Sequence, residues 1–336
     1  MRNMNRRTML VQSGTLAGAM LFVTPAARAA AVAKVTETKV ISQQPNFYHG
    51  WPTLTRRKNG ELLVVCSGGR ESHVCPFGRV ELIRSNDNGT NWSFQRVLLD
   101  GPIDDRDAGI VETAKGSLLV TTFTSLAYVP LLQRSKNKVN WLAAHNRINK
   151  EQRQAELGTW MIRSTDGGVS WSARYDYKVN SPHGPIQLSD GRLMYAGKEL
   201  WKGDNRIGVC FSKDDGQSWC DLIQIPTRDG DDHKQYHELH AVEAANGNIV
   251  VQIRNHNPKN AGETLQSEST DGGKTWSTPH SIGVWGLPSF LTRLSDNLLM
   301  MSYGHRRVPF GTQVRVSNAY VTSWASPMTI SACVLC

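Results

Sequence analysis

Metal and nucleic-acid signatures are what this 336-residue sequence most clearly lacks. Its six cysteines are Cys66, Cys75, Cys210, Cys220, Cys333 and Cys336, and the last two form the only Cys-x-x-Cys. No second pair stands at zinc spacing. In "YHELH", His237 and His240 are three residues apart and precede a strand pattern, so a zinc-protease helix is excluded too. No metal or other cofactor is expected. Lys and Arg outnumber Asp and Glu by 38 to 29, yet no basic run is interleaved with aromatics, which argues against a nucleic-acid partner. Long hydrophobic runs are scarce as well. The apolar stretch near the N-terminus is short and broken by Gln12, Ser13 and Gly14, which excludes a membrane anchor.

That stretch has a different reading. "NRRTMLVQSGTLAGAMLFVTPAARA" joins Arg6 and Arg7 to an apolar run and a small-x-small end at Ala27 to Ala29. This is the form of a twin-arginine secretory signal, assigned here to residues 1–29. The mature protein, residues 30–336, is then expected in the periplasm or outside the cell, with no membrane attachment. Removing the signal takes away Arg2, Arg6, Arg7 and Arg28 and no acid, so the formal charge falls from +9 to +5. A mildly basic protein suits an anionic substrate. Export permits disulfides; Cys66 with Cys75 and Cys210 with Cys220 are local options, and the connectivity stays open.

What the sequence has in quantity is a repeat. "SNDNGTNW" from Ser85, "STDGGVSW" from Ser164, "SKDDGQSW" from Ser212 and "STDGGKTW" from Ser269 share Ser-x-Asp-x-Gly-x-x-Trp. A decayed copy, "SNAYVTSW", starts at Ser317 with Ala319 and Val321 where Asp and Gly belong. Ahead of each turn stands an apolar stretch, a two-residue turn and a second apolar stretch, as in "WPTLTRRKNGELLVVCSG" and "HAVEAANGNIVVQIRN". That is the pattern of a β-hairpin. With the short runs flanking the Asp turn, each unit reads as four antiparallel strands. Four strands repeated at a little under fifty residues predict propeller blades rather than a sandwich. In the turn, Asp accepts backbone N–H groups, Gly supplies positive φ and Trp packs its ring, so the motif shapes blades and performs no chemistry. The segment at about 126–158 breaks the pattern: charged, rich in helix formers and with apolar residues at helical spacing, it reads as a helical insertion.

Chemistry is expected where the hairpins meet the propeller axis. Before the hairpins stand His49, the "DDRD" run with Arg106 and Asp107, His183, and Tyr236, His237, Glu238 and His240; after them stand Arg70, Glu71, His73, Lys198, Arg254, His256, Arg306 and Arg307. Several guanidiniums around one axis imply an acidic ligand, and a carboxylic acid or His beside them can move protons.

Repeated Asp boxes together with "HELHAVEAANGNIVVQIRN" resemble the bacterial sialidase superfamily over essentially the whole mature chain. The resemblance implies an all-β, six-bladed propeller of which five units are visible. It implies an exo-glycosidase that removes a terminal acidic sugar from glycans. Glu238 matches the glutamate that assists a tyrosine nucleophile, and Arg254 an arginine of the carboxylate clamp. Arg306, Arg307 or Arg315 lie where a further clamp arginine occurs, and Arg70 lies near another. Substrate contacts are expected from Arg70, Arg106, His183, Tyr236, His240, Arg254, Arg306 and Arg307, and proton transfer from Glu71, His73, Asp107 or His49. The chain departs from the family in three places: "FYHGWPTL" keeps Pro52 without an arginine before it, the acid/base Asp is missing after Arg70, and the nucleophile region would fall where the sequence ends. A truncation or shifted frame near residue 318, with the last blade incomplete, is the corresponding expectation. Two other readings stay open. One is a polysaccharide lyase acting on uronic-acid polymers with a His or Tyr base, and the other is a non-catalytic carbohydrate-binding propeller.

Overall fold

The computed structural model describes residues 34–201, 203–317 and 323–332. The twin-arginine stretch, Cys333 and Cys336 lie outside the described residues. Blade 1 holds β1 (Tyr48–Arg56), β2 (Leu62–Arg70), β3 (Arg79–Ser85) and β4 (Arg96–Leu99); blade 2 holds β5 (Asp104–Glu112), β6 (Leu118–Ser125), β7 (Thr159–Ser164) and β8 (Tyr175–Asp176). Blade 3 is β9 (Ile186–Gln187), β10 (Leu193–Lys198), β11 (Ile207–Ser212) and β12 (Ile223–Gln224). Blade 4 is β13 (Tyr236–Glu243), β14 (Ile249–Asn255), β15 (Thr264–Ser269) and β16 (His280–Val284). Blade 5 is β17 (Gly286–Arg293), β18 (Leu299–His305), β19 (Gly311–Val316) and β20 (Met328–Ala332).

Every sheet is antiparallel and pairs its strands in chain order, so the described residues form a five-bladed propeller. This corrects the sequence expectation of six blades with an incomplete last one. The fifth unit looked decayed because its Asp and Gly are replaced, yet Ser317 still bridges Trp324 and β20 completes a four-stranded sheet.

Apolar clusters hold consecutive blades together. Leu63, Val65, Val80 and Leu82 of blade 1 meet Ile110, Leu118 and Val120 of blade 2, and Leu119 and Met161 of blade 2 meet Leu193 and Tyr195 of blade 3. The largest cluster joins blades 3 and 4 through Met194, Val209, Leu239, Val251 and Leu265. Val242 and Val250 of blade 4 meet Leu291 and Met301 of blade 5. Strands such as β10 and β11 are buried on both faces because a blade lies on each side, which is why they read as near-continuous apolar runs. Fully burying one such Leu or Val contributes about 1.5–3 kcal/mol.

The Asp turns close each outer hairpin in one geometry. The Oγ of Ser85, Ser164, Ser212 and Ser269 accepts the N–H of Gly89, Gly168, Gly216 and Gly273 at 2.8–2.9 Å and donates to the turn aspartate. Trp92, Trp219 and Trp276 donate their indole N–H to the same glycine's carbonyl at 3.0–3.2 Å.

At the inner side, backbones approach too closely for a side chain. A Cβ on Gly109 of β5 would overlap the backbone of His183 and Gly184. We expect Gly109→Ala to destabilise the fold by about 1–3 kcal/mol, as overpacking does. The check is a lowered urea midpoint at unchanged m value.

Between β6 and β7, residues 126–158 carry α1 (Lys138–His145) and α2 (Lys150–Ala155). Asn149 caps α2 in a capping box with Gln152. A small core of Cys75, Tyr128, Leu132 and Trp141 packs the insertion on the loop that follows β2. Cys66, Cys75, Cys210 and Cys220 are all free thiols, so neither local disulfide option is formed. Burial pushes the Cys66 and Cys210 thiols up to about 12.

Candidate active site

The innermost strands of blades 1, 2, 4 and 5 all break register; blade 5 does so between Gly286 and Ser289 without a positive-φ residue, and the other three do so at equivalent points. These three irregularities fall between Gly50 and Thr53 in β1, Arg106 and Gly109 in β5, and His237 and Leu239 in β13. Each bulge presents one residue at positive φ: Trp51 at 53°, Asp107 at 44° and Glu238 at 36°. Such values are outliers for bulky residues, and each costs about 1–3 kcal/mol that the surrounding fold must hold in place. A bulge re-aims a side chain that the strand would otherwise point elsewhere. All three stand five residues before the last residue of their strand, Arg56, Glu112 and Glu243.

The re-aimed groups meet one another. Arg106 lies over the Trp51 ring at 4.6 Å and Arg70 approaches it at 5.0 Å. His73 completes the aromatic group, 5.0 Å from Trp51 between ring centroids, and its Nδ1 is 3.4 Å from the Tyr48 hydroxyl. Burial, followed by the charges of Arg106, Arg70, Arg306 and Arg254, holds the His73 imidazole below its ordinary value. The charges of guanidiniums from blades 1, 2, 4 and 5 are thus all felt at this one ring. Asp107 is only 6 % exposed and its Oδ1 has no hydrogen-bond partner. Burial first, then the neighbouring Glu238 carboxylate, pushes Asp107 up to about 7, so a part of it is still protonated at neutrality, where an ordinary aspartate is ionised. Glu238 accepts a hydrogen bond from an Arg254 amino group, and Arg254 Nε donates to His256 Nε2 at 2.7 Å.

Behind this row, His237 and His256 approach at 5.0 Å between ring centroids. Lys198, 4 % exposed, donates to the Lys234 carbonyl at 2.7 Å and reaches His237 Nδ1 at 3.5 Å. Burial pushes Lys198 down to about 8. Burial and Lys198 together push His237 down to about 3.

The structure thus brings Arg106, Asp107, His73, Glu238 and Arg254 together, with Arg306 acting on His73 through its charge. The other residues singled out from the sequence are committed to bonds within the fold or lie elsewhere. Arg70 is completely buried and both its amino groups bind the Asp104 carboxylate, at 2.7 and 3.0 Å, so it braces blade 1 on blade 2 and is not open to a ligand. Glu71 accepts from Asn137 at 2.8 Å and the Trp141 indole at 2.7 Å, tying the insertion down. His49 turns to Ser42 at 2.6 Å and lies 3.8 Å from Glu81. Tyr236 is fully buried and donates to Asp231 at 2.6 Å. Arg307 stacks on Trp285 at 4.0 Å, and Arg315 donates to Tyr303 at 3.1 Å. His183 packs edge to face on His240 and on Phe290, and His240 stacks on Phe290 at 4.3 Å between ring centroids. Burial pushes His183 down to about 4. His240 Nδ1 accepts the Leu291 N–H at 2.8 Å. These two line a cavity of ≈ 980 Å³ that also touches Thr53, Ile110 and Phe290.

Tyr48 and Trp51 were missed in the sequence. The signal was present: counting five residues back from the hairpin, as for Asp107 and Glu238, arrives at Trp51.

A family model described as a BNR repeat-like domain matches residues 110–332. A sialidase of Paraclostridium sordellii is 22% identical over 218 residues, covering 56% of this chain and 51% of that protein. A sialidase of Bacteroides fragilis is 26% identical over 256 residues, covering 70% of this chain and 44% of that protein. The chain spans about half the length of these curated relatives. Among solved structures, a protein of unknown function from Dyadobacter fermentans superposes with a TM-score of 0.68 at 20% identity, covering 88% of this chain and 85% of that one. The NanB sialidase of Streptococcus pneumoniae superposes at 0.64 with 16% identity, over 87% of this chain and 63% of that one. With the repeat matched over most of its length, the chain belongs to the BNR repeat-like domain family, and its fold is the β-propeller of the sialidase superfamily.

Proposed function

We propose that the protein is an exported exo-glycosidase of sialidase type that hydrolyses a terminal acidic sugar from glycans. One observation carries this reading: the Arg106 guanidinium lies over Trp51 beside His73, and Arg254 pairs with Glu238, whose charge acts on a buried carboxyl, Asp107, pushed up to about 7. Planar guanidiniums grip a carboxylate in two-pronged fashion, and a substrate acid would compete with Glu238 for Arg254. Glu71 is occupied by the insertion and His73 is held below its ordinary value by burial and then by the neighbouring guanidiniums, so Asp107 is the group suited to protonate the leaving oxygen. The glycosidic C–O bond then breaks through an oxocarbenium-like transition state while water adds at the anomeric carbon, with Glu238 the carboxylate available to take that water's proton.

A second reading has an observation of its own. The Tyr48 hydroxyl lies against a neutral His73, an arrangement that could abstract a proton next to a uronate carboxylate, as a polysaccharide lyase requires. Both are tested by incubating the purified protein, with Arg254→Ala alongside, on an α-sialoside and on a uronic-acid polymer. Release of free sialic acid, lost in the variant, supports the glycosidase; an ultraviolet-absorbing unsaturated product overturns it for the lyase. Binding of either substrate without turnover would identify a carbohydrate-binding propeller instead. The exported state is tested by cell fractionation, with Arg6→Lys and Arg7→Lys together expected to retain the protein in the cytoplasm.

A further inference from the structure

Arg254 is held from behind by a row of groups that reaches back into blade 3. Its Nε donates to His256 Nε2 at 2.7 Å, while an amino group faces Glu238. An imidazole nitrogen that accepts from a guanidinium must carry a lone pair, so the proton of His256 is on Nδ1 and the ring is neutral. Behind it the His237 ring lies 5.0 Å away between centroids, and the ammonium of Lys198 is 3.5 Å from His237 Nδ1. The backbone supports the same arrangement: the His256 N–H bonds the Gln235 carbonyl at 2.9 Å, and β13 pairs His237 directly with Arg254.

We infer that His256 is a positioning residue for ligand capture: its ring fixes the Arg254 guanidinium so that the remaining N–H donors face Glu238 and the incoming acid, with His237 and Lys198 keeping that ring in place. The inference rests on the reading of Arg254 as a carboxylate-binding group. It adds a proton-dependent condition to it, because a protonated His256 would lose its acceptor and stand as a cation against Arg254.

The charged and titratable groups facing His256 are Arg254 and Glu238 on the site side and Lys198 and His237 behind. Burial and then Arg254 hold the imidazole below its ordinary value, outweighing the opposing effect of Glu238. The sign follows: the Arg254 contact is intact at neutral pH and is lost as pH falls through the lowered value, below the roughly 6.5 of a free histidine. Acid weakening of ligand binding is therefore expected on the acid side of that point.

The test uses the full-length protein, with N-acetylneuraminate as the probe in calorimetric titrations between about pH 4 and pH 8. His256→Leu should weaken binding about tenfold at pH 7, the equivalent of one lost hydrogen bond to a charged group. His256→Gln, which keeps an acceptor and cannot titrate, should restore most of that affinity and flatten the acid limb. In parallel, NMR titration of the His256 ring should show its midpoint moving up in Arg254→Ala, since a neighbouring cation has been removed. Wild-type affinity in His256→Leu, or an unchanged acid limb in His256→Gln, overturns the proposal. An imidazole midpoint that ignores Arg254→Ala overturns it as well, without any ligand. If Arg254→Ala binds the probe as tightly as the wild type, the carboxylate reading of Arg254 fails, and the NMR titration still reports whether His256 holds that side chain.

Discussion

Asp104→Ala is expected to destabilise the protein by about 3–5 kcal/mol, the cost of leaving a buried charge without its partner. Arg70 and Asp104 are both completely buried, and the pair joins β2 of blade 1 to β5 of blade 2. Arg70 also donates to Ser67 at 2.9 Å, and Ser67 donates to the Asp105 carbonyl at 2.8 Å, so one bonded group spans the junction beneath Trp51. Burial raises the Asp104 carboxyl above its ordinary value in spite of Arg70, which is the mark of a pair costly to desolvate. A double replacement, Arg70→Met with Asp104→Leu, should therefore recover part of the loss, because the two new side chains carry no charge, while Arg106, 3.6 Å from Asp104, still loses a partner. Urea unfolding of the three variants measures this. Should Asp104→Ala keep wild-type stability, Arg70 would not be a brace and its reading as a ligand group would return.

On the proposed glycosidase reading, Asp107→Asn is expected to lower turnover of an acidic-sugar substrate about 10²–10⁴-fold, the usual contribution of a positioned general acid. The wild type should also show an alkaline limb near pH 7, where Asp107 loses its proton. Activity is present below that point and declines above it, and the asparagine variant should lack this limb. Stability carries the same sign. A carboxyl whose folded value lies above its unfolded one stabilises most at low pH, and that contribution is lost as pH rises through about 7. Asp107→Asn has no proton to lose, so its thermal midpoint should fall less than that of the wild type between about pH 4 and pH 8. Rate profiles and melting curves over that range check both halves. An alkaline limb that persists in the variant would assign the acid to another group.

The blades were legible because the Ser-x-Asp-x-Gly-x-x-Trp turn repeats one local physical task, and its register located every hairpin. The fifth blade was misjudged for the same reason: its turn lost Asp and Gly, but pairing of β18 with β19 and of β19 with β20 does not depend on those side chains. At the site, Glu238 and Arg254 were legible from the strand that bears them. Arg70 is expected from the sequence as a substrate contact because nothing in "SGGRESH" shows that Asp104, thirty-four residues on, fills its fork. Glu71 was read as an acid because its partners Asn137 and Trp141 belong to the insertion. In both cases a long-range contact decided between brace and site, and such contacts leave no local pattern. Trp51 was passed over because a bulge reverses the side to which a strand residue points.

Calorimetric titration of the full-length protein at pH 7 with N-acetylneuraminate and with its uncharged methyl ester tests most directly whether an acidic group is what the arginines hold. The acid should bind and the ester should bind at least about tenfold more weakly, with the difference abolished in Arg254→Ala. Equal binding of acid and ester, or discrimination that survives Arg254→Ala, would contradict the account.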